Sequence, residues 1–259
     1  MSFLSKKSFY RNILEPIFYG AILFAIVASI IFINADKKNN FNLSITTPNS
    51  TTNTKTTPIP ASTTPKASKV SLGVPYISEA PNNIWTGPWK NACEEASIAM
   101  VEKYYKGEKT VSIEESKAFM QNLFDIEDQI FGSNANTDAE KSNYLVNNYS
   151  SYKGVVKINP TINDIKKQID GGHPVIAFHN GFELKNPNIP FLPTGSAYHS
   201  TVVEGYDDIH QQFIVQDPGD EINGIGHRYD YNLYMNSLHD YNYTDKKADG
   251  FASVIFTSK

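Results

Sequence analysis

Three stretches of different polarity follow one another along the chain. Residues 17–33 form an apolar run of 17 residues without a charge, which is the short end of the length that crosses the roughly 30 Å hydrocarbon core of a bilayer. Residues 34–70 are polar and rich in Thr, Ser and Pro, with too little apolar surface to offset the entropy of folding. The pattern predicts a cytoplasmic N-terminus at 1–16, a transmembrane helix at 17–33, a disordered stalk at 34–70 and one folded domain at 71–259.

The charges near the apolar run set its expected orientation. Lys6, Lys7 and Arg11 precede it, and basic residues favour the cytoplasmic side of a membrane. We therefore expect a single-pass protein of the cell membrane whose C-terminal domain lies outside the cytoplasm. The alternative is a cleaved signal peptide, but the run is longer than a usual signal-peptide core and its flank offers no well-placed small-x-small cleavage site.

Helical signals dominate the first half of the predicted domain. Asn91 is a candidate N-cap with an acidic residue three positions on, apolar residues then recur at helical spacing, and Gly107 ends the run. Two further capping boxes, at 112–115 and 137–140, each predict the start of a helix. A fourth helix is expected over 161–169, before a Gly-Gly pair.

Short runs rich in β-branched residues dominate the second half. They lie between turn-forming residues, as expected for strands. The four predicted strands cover residues 174–178, 200–203, 213–215 and 252–256. Helices followed by strands indicate the α+β class with a mainly antiparallel sheet.

Charge and cysteine content narrow the possible functions. The 259 residues carry a formal net charge of −4, but residues 1–70 hold eight basic and two acidic residues, which leaves −10 for the folded domain. An acidic domain repels phosphate backbones, so we expect no nucleic-acid binding.

A single cysteine excludes an internal disulfide, a four-cysteine zinc site and an iron–sulfur cluster. No two histidines have metal-ligand spacing on one predicted element, so we expect neither a metal nor another cofactor.

The single cysteine, Cys93, is a candidate nucleophile. It lies in the first turn of a predicted helix, where free backbone amides and the positive end of the helix dipole stabilise a thiolate. Glu94 and Glu95 act in the opposite direction, because adjacent carboxylates raise the pKa of a thiol. The alternative is that Cys93 is a small buried apolar residue without chemistry.

Six histidines could serve as the base that accepts the thiol proton. His199 stands out because it begins a predicted strand that turns near 207–208 and returns as a strand ending before Asp217. If the turn centres near 208–209, His199 lies opposite Pro218 and beside Asp217, as a base and its orienting carboxylate require. The alternative for Asp217 is a turn residue before Pro-Gly. For the other five histidines we expect surface or capping roles: His173, His179, His210, His227 and His239.

These residues and their order resemble a known family. The motifs that carry the resemblance are Val-Pro-Tyr-Ile-Ser at 74–78, Ala-Cys-Glu-Glu-Ala-Ser at 92–97, His-Pro-Val-Ile at 173–176, Asn-Gly at 180–181, Tyr-His at 198–199, Gly-Tyr-Asp at 205–207 and Asp-Pro-Gly at 217–219. Over residues 74–256 the chain resembles the family thirty-nine-like group of bacterial cysteine peptidases, relatives of the bacteriocin-processing peptidases in the papain-like superfamily. The resemblance implies a papain-like α+β fold and a Cys93–His199–Asp217 triad that hydrolyses peptide or amide bonds.

One position departs from the family pattern. After the Val-Pro-aromatic-x-Ser string, the family has a Gln that donates a hydrogen bond to the oxyanion, whereas this chain has Glu79. An ionised carboxylate cannot donate that bond, and losing such a donor costs about 3–4 kcal/mol of barrier. Either Glu79 is protonated, or Asn91 or a backbone amide replaces it, or hydrolysis is weak or absent.

Two functions therefore stay open. The first is a membrane-anchored extracytoplasmic cysteine peptidase that acts on peptides or proteins, with cell-wall and surface peptides among the candidate substrates. The second is a catalytically degenerate peptidase-like module that uses the same cleft for binding or adhesion. Acyl transfer would use the same residues as hydrolysis, and the sequence does not separate the two reactions.

Overall fold

The computed structural model describes residues 68–193 and 197–259 of the chain. The predicted N-terminus, the transmembrane helix and nearly all of the predicted stalk lie outside these residues. Among the described helices, none is long and apolar enough to span a membrane. The first described strand begins at Lys69, so the folded domain starts slightly before the predicted boundary at residue 71.

The described part of the chain alternates helices and strands. The helices are α1 (Cys93–Tyr105), α2 (Ile113–Phe131), α3 (Ala139–Tyr149), α4 (Ile162–Asp170), α5 (Gly181–Leu184) and α6 (Tyr231–Asn236), with two 3₁₀ turns at Pro81–Asn83 and Gly87–Asn91. The strands are β1 (Lys69–Ser71), β2 (Lys153–Ile158), β3 (Val175–Asn180), β4 (Tyr198–Asp207), β5 (Gln212–Gln216), β6 (His227–Asp230), β7 (Tyr241–Asn242), β8 (Lys247–Ala248) and β9 (Ser253–Ser258).

A single antiparallel sheet organises the domain. Its strand order is β2-β9-β3-β4-β5-β6, and β1 pairs with the end of β4 next to the stretch that pairs with β3. Every pairing in it is antiparallel. The predicted α+β class with a mainly antiparallel sheet is therefore confirmed.

Helices cover both faces of the sheet. Side chains alternate across a strand, so Ile176 and Phe178 of β3 pack in the core shared with α1, α2 and α3. Val175 and Ala177 point the other way, into the core shared with α4 and α6. Central strand β4 is buried along its whole length. The start of β4 lies beside the first turns of α1, where the Ser200 hydroxyl donates to the Ser97 hydroxyl at 3.1 Å.

Two of the predicted helix starts are confirmed and two need correction. Ser112 forms the expected capping box, and Thr161, where the fourth helix was expected to begin, forms one as well. The third helix is capped by Asp138 rather than Thr137, because the Thr137 amide donates to a carboxylate oxygen of Glu94 instead. The prediction that Asn91 caps α1 is wrong: Asn91 ends a 3₁₀ turn, and Ala92 takes the cap position without a side-chain bond.

The β4–β5 hairpin pairs one to two residues out of the predicted register. Val202 lies opposite Gln216, but after a bulge between Val203 and Gly205 the pairing shifts, and Asp207 lies opposite Gln212. The bulge adds one residue to β4, which turn chemistry alone does not reveal. Strands β2 and β6 were not predicted, because one contains a glycine and two lysines and the other is the four-residue string His-Arg-Tyr-Asp.

A buried pair of carboxyl groups links the first two helices. Glu95 of α1 and Glu127 of α2 are both buried, and Oε2 of Glu95 and both carboxyl oxygens of Glu127 have no hydrogen-bond partner among the described residues. Burial raises the pKa of Glu127 to about 7 and that of Glu95 well above its ordinary value, and the charges of Glu127 and Glu94 raise the pKa of Glu95 further. A charge on both groups in the core is unfavourable.

We predict that this pair makes folding stability decrease as pH rises. The folded-state pKa values lie above the unfolded value of 4.5, so the contribution is complete below pH 4.5 and is lost as pH rises through 7. Glu127→Gln should remove the part of this decrease that comes from Glu127 and raise the free energy of unfolding at pH 8 by about 2–3 kcal/mol, while the part from Glu95 remains. Denaturant titrations at pH 5 and pH 8 measure the difference. Glu114→Gln, an exposed change on the same helix, is the control, and equal slopes in both variants would contradict the prediction.

Candidate active site

The side chain of Cys93 lies at the first position of α1. The thiol is buried, and it donates a hydrogen bond to Oε2 of Glu94 at 2.9 Å. The other carboxylate oxygen of Glu94 accepts the Thr137 amide at 2.9 Å, which fixes the direction of the carboxylate. The first amides of a helix have no intrahelical acceptor, so the backbone at Cys93 is suited to donate to a ligand in front of the sulfur.

A histidine–carboxylate pair lies next to this thiol. His199 is the second residue of β4, and Asp217 directly follows β5. Nε2 of His199 lies 2.7 Å from Oδ1 of Asp217. Because the carboxylate accepts, Nε2 carries the proton and Nδ1 is the nitrogen left to act as a base. The register differs from the predicted one, but the structure does bring these two residues together.

Three further groups hold Asp217 in place. Its Oδ2 accepts a hydrogen bond from the Tyr229 hydroxyl at 2.5 Å and from Nδ2 of Asn186 at 3.1 Å. Its Oδ1 also accepts the Gly219 amide at 3.2 Å. Asn186 and Tyr229 are joined by a hydrogen bond of 2.8 Å. The carboxylate therefore has a fixed position from which to orient the imidazole of His199.

Glu79 completes the cluster from a third direction. Its backbone amide donates to the Pro218 carbonyl at 3.1 Å, which ties the segment before α1 to the turn after β5. A carboxyl oxygen of Glu79, Sγ of Cys93 and a ring nitrogen of His199 all lie within 4.8 Å of one another. The three residues are only 5%, 4% and 1% exposed, so bulk water is largely excluded from the cluster.

Opposing effects set the charges of the histidine–carboxylate pair. Burial would raise the pKa of Asp217, but the charge and hydrogen bond of His199, with the bonds from Tyr229 and Asn186, lower it to about 2. Burial would likewise lower the pKa of His199, but the charge and hydrogen bond of Asp217 more than offset this, so the pKa lies above the ordinary 6.5. Asp217 is therefore ionised throughout the neutral pH range. His199 loses its proton only at a pH above 6.5.

The thiol and Glu79 are both held in their neutral forms. Burial, followed by the charges of Glu94 and Glu79, raises the pKa of Cys93 well above its ordinary value. Burial and the neighbouring acids together therefore outweigh the effect of the helix N-terminus. Burial, with the charges of Asp217 and Glu94, raises the pKa of Glu79 to about 8, against a smaller lowering by His199. Glu79 is therefore protonated at neutral pH and can donate a hydrogen bond.

Comparison with known proteins identifies the family of this chain. The sequence model of the Peptidase_C39 like family matches residues 71–249, more than half of the chain. The chain belongs to the Peptidase_C39 like family. The resemblance drawn from the motifs is thus confirmed. Among solved structures, the chain is similar to the crystal structure of a Bacillus anthracis protein described as a C39-like peptidase, at 15% identity and a TM-score of 0.46, over 74% of this chain and 98% of that chain. No curated protein matches the chain.

The cluster of this C39-like domain opens into a cleft of about 880 Å³. One wall is apolar and contains Ile189 and Phe191, with the Phe191 ring 5.7 Å from the imidazole of His199 in an edge-on arrangement. Gly219 borders the cluster, where a Cβ would lie 3.0 Å from Cε1 of His199 and 3.1 Å from Oε1 of Glu79. Glycine here leaves space between the two groups. Polar residues on the other walls are Asn83, Lys90, Asn91, Asn136, Asn188, Glu221 and Lys246.

Of the other five histidines, His210 is exposed as expected, whereas His173, His227 and His239 are half-buried and His179 is buried. It lies opposite His199 in the β3–β4 register and is completely buried, with hydrogen bonds to Ser237 and Thr201 at 2.9 and 3.1 Å. Burial lowers the pKa of His179 to about 3, so the ring is neutral. The expectation of a surface or capping residue is wrong here, because β3 extends two residues beyond its predicted end and into the core.

The sequence reasoning missed the residues that support the site. Tyr229 lies on β6, a strand that was not predicted, and Asn186 follows α5 within a loop. Both residues contact Asp217 only because the fold brings separate segments together. The sequence around Tyr229 therefore gives no indication of its role. Asn186 stands in an Asn-Pro pair that follows the Asn-Gly motif at 180–181 and belongs to the same family resemblance, which is the one signal that could have drawn attention to it. Asn91, the suggested substitute donor, is half-buried and lines the same cleft as Glu79.

We predict that Tyr229→Phe reduces turnover through Asp217. The variant loses the 2.5 Å bond to Oδ2 but retains ring packing, so the carboxylate becomes less well positioned. We expect kcat to fall about tenfold with KM unchanged, and the free energy of unfolding to fall by about 1–3 kcal/mol. Steady-state kinetics and denaturant titration measure both. Tyr231→Phe, which removes a hydroxyl bond to Asp208 on the far side of β4, is the matched control; a change in KM alone would contradict a positioning role.

Proposed function

We propose that the protein is a cysteine peptidase in which Cys93 is the nucleophile, His199 the base and Asp217 the orienting carboxylate. The observation that carries the proposal is the meeting of thiol, imidazole, carboxylate and Glu79 at the N-terminus of α1. Membership of the Peptidase_C39 like family supports the same chemistry. In this proposal Nε2 of His199 donates to Asp217 and Nδ1 accepts the thiol proton, which is the papain-like assignment of the two ring nitrogens.

The geometry leads to a two-step acyl transfer. Nδ1 of His199 accepts the thiol proton as Sγ of Cys93 attacks the substrate carbonyl carbon. The oxyanion receives hydrogen bonds from the Cys93 backbone amide and from protonated Glu79. The imidazolium then protonates the leaving amine, which departs and leaves a thioester on Cys93. His199 next activates a water molecule that hydrolyses the thioester, and the thiol is regenerated.

A change of hydrogen-bond partner must precede the attack. The thiol donates to Glu94, whereas catalysis requires its proton to pass to His199. Rotation of the Cys93 side chain away from Glu94 would bring the proton within reach of Nδ1, since the ring nitrogen already lies within 4.8 Å of the sulfur.

The residues that line the cleft indicate the substrate class, and the N-terminal sequence indicates the location of the domain. Apolar residues beside the cluster suit side chains of a peptide, while Lys90 and Lys246 at the wall suit a carboxylate. We propose peptides or proteins as substrates, including cell-wall or surface peptides. The apolar run at 17–33 supports a single membrane anchor with the peptidase domain outside the cytoplasm.

A peptide library is the direct test. We expect the full-length protein to generate new peptide termini, detected by mass spectrometry at pH 7.5 with a reductant and a chelator present. Alkylation of the chain's one thiol by iodoacetamide should stop cleavage, and a peptide aldehyde should form an adduct on Cys93. The absence of both cleavage and adduct in correctly folded protein would reject the proposal.

A second candidate function is a recognition module that keeps the fold without turnover. The hydrogen bond from the Cys93 thiol to Glu94 favours it, because this bond holds the proton away from His199. In that case library peptides would bind saturably and remain intact. Recovery of activity in Glu79→Gln, from none in the natural protein, would identify Glu79 as the cause of degeneracy.

A further inference from the structure

The cluster in the cleft has the composition of a metal site. A thiol sulfur, an imidazole nitrogen and a carboxyl oxygen, from Cys93, His199 and Glu79, lie within 4.8 Å of one another. Each comes from a different element: the segment before α1, the first turn of α1 and the start of β4. We expected no metal from the sequence because no two histidines have ligand spacing on one predicted element. That criterion does not cover ligands that come from three different elements.

We propose that Cys93, His199 and Glu79 bind one Zn²⁺ ion, which reversibly switches off the thiol. Zinc binds thiolate, imidazole and carboxylate together, and it accepts three protein ligands with a fourth position left open. Binding uses Sγ and Nδ1, the two atoms needed for nucleophilic attack, and the protons of the thiol and of the Glu79 carboxyl are released to solvent. The inference does not depend on the proposed peptidase function, because the ligands are present whether or not a substrate is cleaved.

The distances suit a tetrahedral ion after small adjustments. Zinc–ligand bonds of about 2.0–2.3 Å place neighbouring ligand atoms about 3.3–3.8 Å apart. Starting from a limit of 4.8 Å, each of the three atoms needs to move inward by less than about 1 Å. Gly219 has no side chain to occupy the space between His199 and Glu79. The substrate cleft leads to the open fourth position.

The surroundings of His199 match those of a metal ligand. Metal-binding histidines usually donate the remaining ring N–H to a carboxylate, which fixes the tautomer and strengthens the ligand. Asp217 accepts that N–H at 2.7 Å, and Tyr229 and Asn186 hold Asp217 in turn. Nδ1 of His199 is therefore directed by the same contacts whether the neighbour is a thiol or a cation.

Because of Glu79, we expect this chain to bind zinc more tightly than a relative that has the Gln of the family pattern. A neutral amide is a weak ligand for zinc, whereas a carboxylate oxygen is a strong one. The cluster also has carboxyl groups at Glu79 and Glu94 but, apart from His199, no basic side chain bonded to it among the described residues. A divalent cation would offset this accumulation of acidic groups.

Metal binding to the full-length protein tests the inference without any substrate. We expect one Zn²⁺ per chain by equilibrium dialysis against a competing chelating dye. Co²⁺ in place of Zn²⁺ should give thiolate-to-metal charge-transfer absorption, which reports directly on the Cys93 sulfur. Saturating Zn²⁺ should raise Tm and protect Cys93 from iodoacetamide, and a chelator should reverse both effects.

Variants identify the ligands. Glu79→Gln and Asp217→Asn should each weaken Zn²⁺ affinity about 10- to 100-fold, and Cys93→Ala should abolish the charge-transfer band. His210→Ala is the matched control, since this histidine pairs with Asp207 on the exposed side of the hairpin. If a variant fails to fold, thiol protection in the natural protein still decides the matter.

The outcomes separate this inference from the proposed function. Unchanged affinity in Glu79→Gln, absence of the charge-transfer band, or unprotected Cys93 at saturating Zn²⁺ would each overturn it. One bound metal in a protein that cleaves no peptide would support the inference and reject the peptidase. Peptide cleavage that is insensitive to Zn²⁺ would support the peptidase and reject the inference.

Discussion

Replacing Cys93 by alanine is expected to reduce kcat/KM for a cleavable peptide by at least about 10⁴-fold. Loss of the nucleophile in a unit of this type costs on the order of 10⁶ in turnover, and no second cysteine exists in the chain to replace it. His199→Ala should cost about 10²–10⁴-fold, the range of a general base. His199 and its bond to Asp217 are buried, so a denaturant titration of each variant accompanies the kinetics and confirms that the variant is folded.

The controls for this prediction use the other histidines and the thiol itself. His210→Ala, an exposed change, should retain full activity. In the natural protein, the rate of Cys93 alkylation should depend on His199, because the imidazole is the base that generates the thiolate. An alkylation profile identical in His199→Ala, or equal peptidase activity in Cys93→Ala, would show that the cluster is not the catalytic centre.

The order of motifs along the chain was enough to bring the three candidate catalytic residues together. His199 and Asp217 are the two ends of one hairpin, so a register error of one or two residues changed which residue lies opposite but not which residues meet. Cys93 begins the helix as expected. Local patterns fix such features because each depends on residues close in sequence.

The supporting contacts could not be predicted in the same way. Tyr229 reaches Asp217 from an edge strand without an apolar pattern, and Glu94 faces the thiol only because the Thr137 amide holds its other oxygen. The protonation of Glu79 follows from complete burial beside other acids. Burial of a glutamate is a property of the packed fold, and the composition around it in the sequence gives no measure of it.

The second large effect concerns Glu79 as a pH-dependent donor. With a pKa of about 8, the carboxyl is protonated in about nine molecules of ten at pH 7 and in about one of ten at pH 9. The protonated form donates to the oxyanion, and the ionised form repels it. We therefore expect kcat/KM to fall about tenfold per pH unit above 8, and to fall on the acid side as His199 becomes protonated at a pKa above 6.5.

Glu79→Gln should remove the alkaline decrease, because an amide donates at every pH. At pH 7 the variant should retain activity close to that of the natural protein, while at pH 9 it should be about tenfold more active. Glu79→Ala should lose about 10²–10³-fold at pH 7, the cost of one oxyanion donor. Glu221→Gln, which changes an exposed glutamate of the same cleft, is the matched control and should keep the natural profile.

The full pH profile distinguishes the three roles open to Glu79. A protonated donor gives an alkaline decrease that Glu79→Gln abolishes. If Asn91 or a backbone amide donates to the oxyanion in place of Glu79, the profile stays unchanged in Glu79→Gln and Glu79→Ala loses little activity. An ionised, inhibitory Glu79 gives an increase of about 100-fold or more in Glu79→Gln already at pH 7. Because burial raises the pKa of Glu79 above neutrality while His199 stays within reach of the thiol, we expect the first profile.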